Sequence, residues 1–471
     1  MLTLADVLDA FTPHSRPEAT QVITEAVIDS RKAIPGSLFV CLPGERVDGH
    51  DYVEAAFANG ASFALVQREV SAQCSVLDLR QPVTAEQLAA LNFPVCLQVD
   101  DTLAALQQIA RHWRRSLDLR VIGITGSVGK STTKEMVAEI LNRKYRTLKT
   151  SGNFNNEIGL PLMLLNLTRG HQRAVLEMGF YVPGEIKFLC DLALPSVGVV
   201  TNIGTVHAER AGSQETIARG KAELVESLPA DGWAILNHDD DWVRAMAAHT
   251  RAQVLYYGLT DEAHLWADEI EGLGLDGIRF RLHYQGQTFH LKVPMLGRHS
   301  VHTALRAAAV GLVEGMDWPE IIAGLRFGHM QLRLVAVRAQ NGALLLDDTY
   351  NASPESTLAA LNLLAELDGR RVAVLGDMLE LGQYEQQGHK MVGLRAAEIV
   401  DELVTVGKRA RVIAAAAVDG GLAREQVHVV EDSPAAIAAL RDRLGARDVV
   451  LVKGSRGMKM DGIVPALEEI R

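Results

Sequence analysis

Short apolar runs alternate with amphipathic stretches along almost the whole chain, the pattern of α/β domains with largely parallel sheets. Apolar runs at Ala26–Asp29, Ser37–Val40 and Phe63–Val66 read as strands, too few for more than a small α/β domain over residues 1–98. Helical periodicity from Leu103 to Trp113 leads into the apolar run Val121–Ile124, a glycine-rich loop and a helix from about Thr132 to Asn142. Strands at Ala174–Leu176 and Val197–Val200, a β-rich patch from Ile278 to Val293 and an Ala-rich helix from Ser300 to Glu314 complete a second domain, residues 99–327. Near Phe327 the pattern restarts. Strands at Leu344–Leu346, Val372–Leu375, Leu403–Val406 and Val449–Val452, with helices between, predict a third, Rossmann-like domain over 328–471. Its first strand is not followed by G-x-G-x-x-G, so a dinucleotide is not expected there.

Composition sharpens this picture. A chain of 471 residues, 48% hydrophobic, suggests about three domains at ~150 residues each. No apolar run reaches the ~18 residues of a membrane span, and Met1–Asp6 lacks the basic start and apolar core of a signal peptide, so the cytoplasm is expected. Cys41, Cys74, Cys96 and Cys190 form no C-x-x-C pair and have no metal-ligand spacing, which predicts reduced thiols. The net charge of -11 disfavours a nucleic-acid partner, because binding a phosphate backbone needs a basic face. Small anions can still bind at local sites, and a monomer is expected.

The loop after Val121–Ile124 is such a site. Gly126-Ser127-Val128-Gly129-Lys130-Ser131-Thr132 is shorter than the common G-x-x-x-x-G-K-[ST], whose first glycine would fall on Ile124. Its physical role is nevertheless clear: a glycine turn between strand and helix aims backbone N–H groups at phosphate oxygens, and the helix dipole favours negative charge. Lys130 supplies a point charge for the β- and γ-phosphates, and Ser131 a hydroxyl for Mg²⁺. ATP or GTP is the expected ligand.

This shortened loop resembles the nucleotide loop of the Mur ligases, ATP-dependent amide-forming enzymes of bacterial cell-wall synthesis. Further similarities follow in order. Asp29-Ser30-Arg31-Lys32-Ala33-Ile34-Pro35-Gly36-Ser37 resembles the family's amino-terminal UDP-binding segment. Ser151-Gly152-Asn153-Phe154-Asn155-Asn156-Glu157, Leu176-Glu177-Met178-Gly179 and Thr201-Asn202-Ile203-Gly204 with His207 resemble its central domain. Asp347-Asp348-Thr349-Tyr350-Asn351-Ala352-Ser353-Pro354 and Lys453-Gly454-Ser455-Arg456 resemble its carboxy-terminal domain, in the forms typical of the branch that adds D-alanyl-D-alanine. Diaminopimelate- or lysine-adding relatives carry Y-A-H-x-P and K-G-H-E instead. The resemblance implies a small amino-terminal UDP-binding α/β domain, a central P-loop ATPase domain with a mostly parallel sheet, and a carboxy-terminal Rossmann-like domain binding the incoming dipeptide.

It also implies chemistry. A carboxylate takes the γ-phosphoryl of ATP and an amine then displaces phosphate, so catalysis is mainly positioning and charge neutralisation. Lys130, Lys221, His207 and Arg333 are the implied catalytic residues; Ser131, Glu177, His207 and Lys221 are the implied ligands of two Mg²⁺ sites. Lys221 matches the family lysine that becomes carbamylated. A plain reading makes it a helix-surface lysine near Glu223 and Glu226. Glu177 reads equally as a strand-end carboxylate facing solvent, and His207 as a satisfied loop histidine. Nucleotide contacts are implied at residues 126–132, Arg333 and Asp348, and at His302, which is read as replacing an asparagine of G-x-H-N-x-x-N. Implied substrate contacts are Ser30, Arg31, Asn155, Asn156, Tyr350, Asn351, Lys453, Ser455 and Arg456. Ser353 also reads as a helix N-cap before Pro354. The rival readings are another Mur-type ligase, a folylpolyglutamate-type synthetase, and a P-loop nucleotide switch.

Overall fold

The computed structural model of the chain describes residues 1–12, 19–44, 46–326 and 334–468. Arg333 and the expected boundary at 327/328 lie outside the described residues. Chain contacts group into two compact units: Met1–Gly123, Tyr145–Gly179 and Gly184–Val197 form one, and Ile124–Lys144, Phe180–Pro183 and Gly198–Arg471 the other.

The first unit carries a five-stranded sheet in the order Ala26–Val27, Leu38–Val40, Phe63–Val66, Val95–Gln98, Ser75–Asp78, parallel throughout. Three of these strands match the apolar runs at 26–29, 37–40 and 63–66. The strands Ser75–Asp78 and Val95–Gln98 are not among those read from the sequence. Helix Thr102–Arg115 begins where the Asp101 side chain accepts from the Ala104 amide, a capping bond that satisfies an orphan helix donor. Its Trp113 is fully buried and donates its indole N–H to the Leu167 carbonyl at 3.0 Å.

In the second unit the neighbouring strands Trp233–Asn237, Gln253–Gly258 and Leu265–Gly272 run parallel. Ile278–Tyr284 and Gln287–Val293 then continue the sheet antiparallel. The β-rich patch is therefore the antiparallel edge of a larger sheet. The Ala-rich run forms helix Val301–Val313.

The carboxy-terminal sheet has the order Val335–Arg338, Leu344–Asp348, Asp448–Lys453, Arg370–Gly376, Glu402–Val406, Val427–Val430. Only the first pairing is antiparallel. Its strands are apolar on both faces because both are covered: Leu344, Leu346, Ala373 and Leu375 pack into one core, and Leu345, Val372, Val374 and Val450 into another. Helix Pro354–Ala365 starts as the sequence predicts, with Ser353 as N-cap accepting from the Ser356 amide.

Candidate active site

Strand Arg120–Thr125 ends in the glycine loop, and helix Lys130–Leu141 begins at its far side with Gly129 as N-cap. Gly126 has φ +142, and a Cβ there would lie 1.8 Å from Thr201 Oγ1; only glycine fits. The T-N-I-G segment is the brace of this loop. Thr201 Oγ1 donates to the Val128 carbonyl at 2.6 Å, Asn202 Oδ1 accepts from the Val128 amide at 2.9 Å, and the Gly204 amide donates to Ser127 Oγ at 2.8 Å. Lys130 folds back over the loop, its ammonium donating to the Gly126 carbonyl at 2.7 Å.

Three nitrogen-bearing side chains of this unit lie within electrostatic reach of one another. Lys221, on helix Gln214–Glu226, is 1% exposed, so the reading as a surface lysine is wrong. Burial, with the positive charge of Lys130 second, holds its amine well below the ordinary lysine value. The Phe180 ring packs over it, with the ammonium 4.9 Å from the ring centre. His207 is lowered too, first by burial, while its bond to Glu380 opposes this and Lys130 and Lys221 add to it. Its Nδ1 lies 2.7 Å from Glu380 Oε2. Both partners have left-handed backbones, φ 69 at His207 and 64 at Glu380, an uncommon conformation for residues with a Cβ.

Segment 205–212 is tied to the carboxy-terminal region at further points. Thr205 donates its amide and hydroxyl to Glu355 Oε1 at 3.1 and 3.2 Å, the Glu209 amide donates to the Glu380 carbonyl, and Gln383 Nε2 donates to the Gly212 carbonyl. Glu355 Oε2 is buried without a hydrogen-bond partner among the described residues. Neither Glu355 nor Glu380 was singled out from the sequence. The available signal was position alone: Glu380 follows the end of strand Arg370–Gly376, the end at which α/β sheets build their sites.

The Tyr350–Pro354 and Lys453–Arg456 turns come together as one cluster. Buried Lys453 donates to Asp348 Oδ2 at 2.6 Å and to the Asn351 carbonyl at 2.9 Å, Ser455 Oγ donates to the Ala352 carbonyl, and the Arg456 guanidinium sits 6.0 Å from the Tyr350 ring centre. Asp348, read as a nucleotide contact, is thus ion-paired with Lys453, read as a substrate contact. These residues close strands Leu344–Asp348 and Asp448–Lys453, at their carboxyl ends. A cleft of about 550 Å³ lined by Arg370, Glu402, His428 and Arg443 lies at the opposite, amino ends of the same sheet, away from these motifs.

In the first unit, Glu177 is 2% exposed rather than solvent-facing. Its Oε1 accepts from Asn155 Nδ2 at 2.9 Å and its amide donates to Thr150 Oγ1. Asn156 Oδ1 accepts from the amide of Gly159, the first residue of helix Gly159–Leu165. Arg31 is exposed but held in a two-pronged bond to Asp29, which pulls the Asp29 carboxyl down to about 2; Ser30 is buried.

His302 needs correction on two grounds. Counted from Gly297, the seventh position of G-x-H-N-x-x-N is Thr303, so His302 does not replace the asparagine. Its Nε2 also lies 2.8 Å from Asp239 Oδ2 and is engaged there. Thr303 instead accepts from Arg306, a buried arginine that the sequence reading passed over within the Ala-rich helix.

Comparison with known proteins agrees with this geometry. Family models for the Mur ligase family catalytic domain, the Mur ligase middle domain and the Mur ligase glutamate ligase domain match residues 22–114, 124–311 and 332–456. The chain is 37% identical over 97% of its length, and 95% of the relative's, to the UDP-N-acetylmuramoyl-tripeptide–D-alanyl-D-alanine ligase of Bacillus subtilis. A crystal structure of MurF from Acinetobacter baumannii superposes with a TM-score of 0.83 at 32% identity, covering 98% of both chains. MurF ligase from Thermotoga maritima, solved in complex with ADP, gives 0.77 at 26% identity over 94% of this chain and 97% of that one. With the shortened loop, its T-N-I-G brace and the paired turns of the carboxy-terminal sheet all in place, the chain belongs to the Mur ligase family, in the branch of the UDP-N-acetylmuramoyl-tripeptide–D-alanyl-D-alanine ligases.

Proposed function

We propose that this protein joins D-alanyl-D-alanine to UDP-N-acetylmuramoyl-tripeptide through an amide bond, with ATP converted to ADP and phosphate, in the cytoplasmic synthesis of peptidoglycan precursor. The observation that carries this reading is the full-length likeness to ligases of that activity. The Y-N-A-S-P and K-G-S-R turns, bound to each other through Lys453, support it.

The tripeptide carboxylate attacks the γ-phosphorus, and the bond to the β-bridging oxygen breaks to release ADP. The dipeptide amine then attacks the acyl phosphate carbon, loses a proton, and expels phosphate. The loop amides and Lys130 hold and neutralise the phosphate chain. Ser131, Glu177, His207 and a carbamylated Lys221 would hold magnesium, which supplies further neutralisation of the transferring oxygens. The chain's own residues suit that role: burial favours the uncharged form of the Lys221 amine, the form that adds carbon dioxide, and of the His207 imidazole, which with one nitrogen on Glu380 has the other left for a ligand. Tyr350, Asn351, Lys453, Ser455 and Arg456 form the dipeptide side, and Ser30, Arg31, Asn155 and Asn156 the UDP-peptide side. In this reading residues 1–98 bind the UDP-linked peptide, 99–327 bind ATP and 328–471 bring the dipeptide.

The test is phosphate release by the purified protein. Turnover is expected only when ATP, the UDP-linked tripeptide and D-alanyl-D-alanine are all present, because the acyl phosphate needs a carboxylate to form and an amine to discharge it. Equal release with ATP alone would favour a nucleotide switch, and turnover with diaminopimelate and a dipeptide acceptor would favour the neighbouring branch.

A further inference from the structure

Arg306, on helix Val301–Val313, is 4% exposed. A guanidinium stays charged at any physiological pH, and a buried charge without a counter-charge is strongly unfavourable. Yet its partners here are neutral: Nη2 donates to Thr303 Oγ1 at 2.6 Å, and Nη1 makes a long 3.4 Å contact with the Tyr257 hydroxyl. Nε is buried with no hydrogen-bond partner, and among the described residues no carboxylate lies within ion-pair distance of Arg306. The acidic side chains of this neighbourhood are engaged elsewhere. Asp239 accepts from His302 and from the Leu259 amide, and Asp240 from the Ile203 and Val243 amides.

What the guanidinium does touch is the glycine loop. A Cβ on Gly129 would lie 2.8 Å from Arg306 Nη2 and 3.7 Å from Cζ, so the group occupies the space that any side chain at 129 would need. Gly129, at φ +85, is the residue that closes the loop and caps helix Lys130–Leu141. A buried cation with donors to spare thus sits against the end of a loop built to hold an anion. We propose that Arg306 is a second cationic anchor of that loop, giving its unused N–H donors to an oxygen of the nucleotide's phosphate chain. Planar, multi-donor geometry suits phosphate oxygens better than a point charge does. The inference rests on residues 126–132 being the nucleotide loop, and it makes the arrangement at Gly129 costly without nucleotide and favourable with it.

Calorimetric titration of the full chain with ADP and with adenosine tests this, using wild type, Arg306→Met, Arg306→Lys and Lys130→Ala, with thermal unfolding of each in the absence of nucleotide. Loss of a charge-assisted bond predicts ADP binding about 10- to 100-fold weaker in Arg306→Met and unchanged adenosine binding. The ligand-free unfolding midpoint of Arg306→Met should equal or exceed that of wild type, since an unpaired buried charge has been replaced by an apolar chain. Arg306→Lys should fall between in ADP affinity, and it decides the matter if Arg306→Met does not fold. Wild-type ADP affinity in the Arg306 variants, an equal loss for adenosine, or a midpoint lowered with ADP affinity intact would each overturn the proposal. Weak ADP binding by Lys130→Ala beside unaffected Arg306 variants would overturn it alone; ADP affinity unaffected in both would overturn the loop assignment itself.

Discussion

Lys221 is where one side chain decides most. Its amine is buried, beside another cation and under the ring of Phe180, and burial holds it well below the ordinary lysine value. A lysine placed there only for packing would be a poor choice, because a methionine of similar volume would avoid the cost of desolvating an amine. Lys221→Ala is therefore expected to lose most activity, and acetate or formate to restore part of it by returning an anionic oxygen to the vacated place. Lys221→Arg should stay inactive, since it keeps positive charge and cannot become a carbamate. Steady-state phosphate release with and without added acid checks this, and full activity of Lys221→Arg would remove the carbamate. Lys130→Ala should abolish turnover while leaving the unfolding midpoint nearly unchanged, because the residue supplies charge to the loop and little to the core.

The helix that carries Lys221 offers a test in which two effects oppose. Gly220 precedes it, and in a helix interior Gly→Ala ordinarily gains about 1 kcal/mol. Here the added Cβ would lie 2.1 Å from Phe180 Cε2. Overpacking of this kind costs about 1–3 kcal/mol, so packing should win. Gly220→Ala is expected to lower the unfolding midpoint and, by displacing Phe180 from Lys221, to lower turnover as well. A raised midpoint would show that the ring yields without cost. The loop itself is more demanding: Gly126→Ala meets both a φ of +142 and the hydroxyl of Thr201, and a loss of several-fold in nucleotide affinity together with lower stability is expected.

Across the second unit, segment 205–212 and residues 355–383 are held together by bonds at Thr205, His207, Glu209 and Gly212. The left-handed backbone at Glu380 is a local cost of order 1 kcal/mol that the contact with His207 offsets. Glu380→Gly relieves it but also loses that contact, so the unfolding midpoint should change little. On the proposal that His207 holds magnesium, loss of the carboxylate that orients it should lower turnover about 10- to 100-fold. Paired measurements of kcat and thermal unfolding separate the two effects, and unchanged turnover would make the His207–Glu380 bond architectural only.

Periodicity and the spacing of a few motifs were enough to determine the α/β class, the glycine loop, the N-cap at Ser353 and the family. These are local properties: apolar alternation, turn chemistry and residues adjacent in the chain. The tertiary structure decided what depends on burial and on partners far apart in sequence. Lys221 and Arg306 look like ordinary helical cations until packing removes water from both, and His207 is a loop histidine until Glu380, 173 positions away, takes one of its nitrogens. The same holds for Asp348 and Lys453, assigned different tasks from their motifs and found ion-paired. A sequence states which charges a chain carries, but their energetic meaning is set by the dielectric and the neighbours that folding gives them.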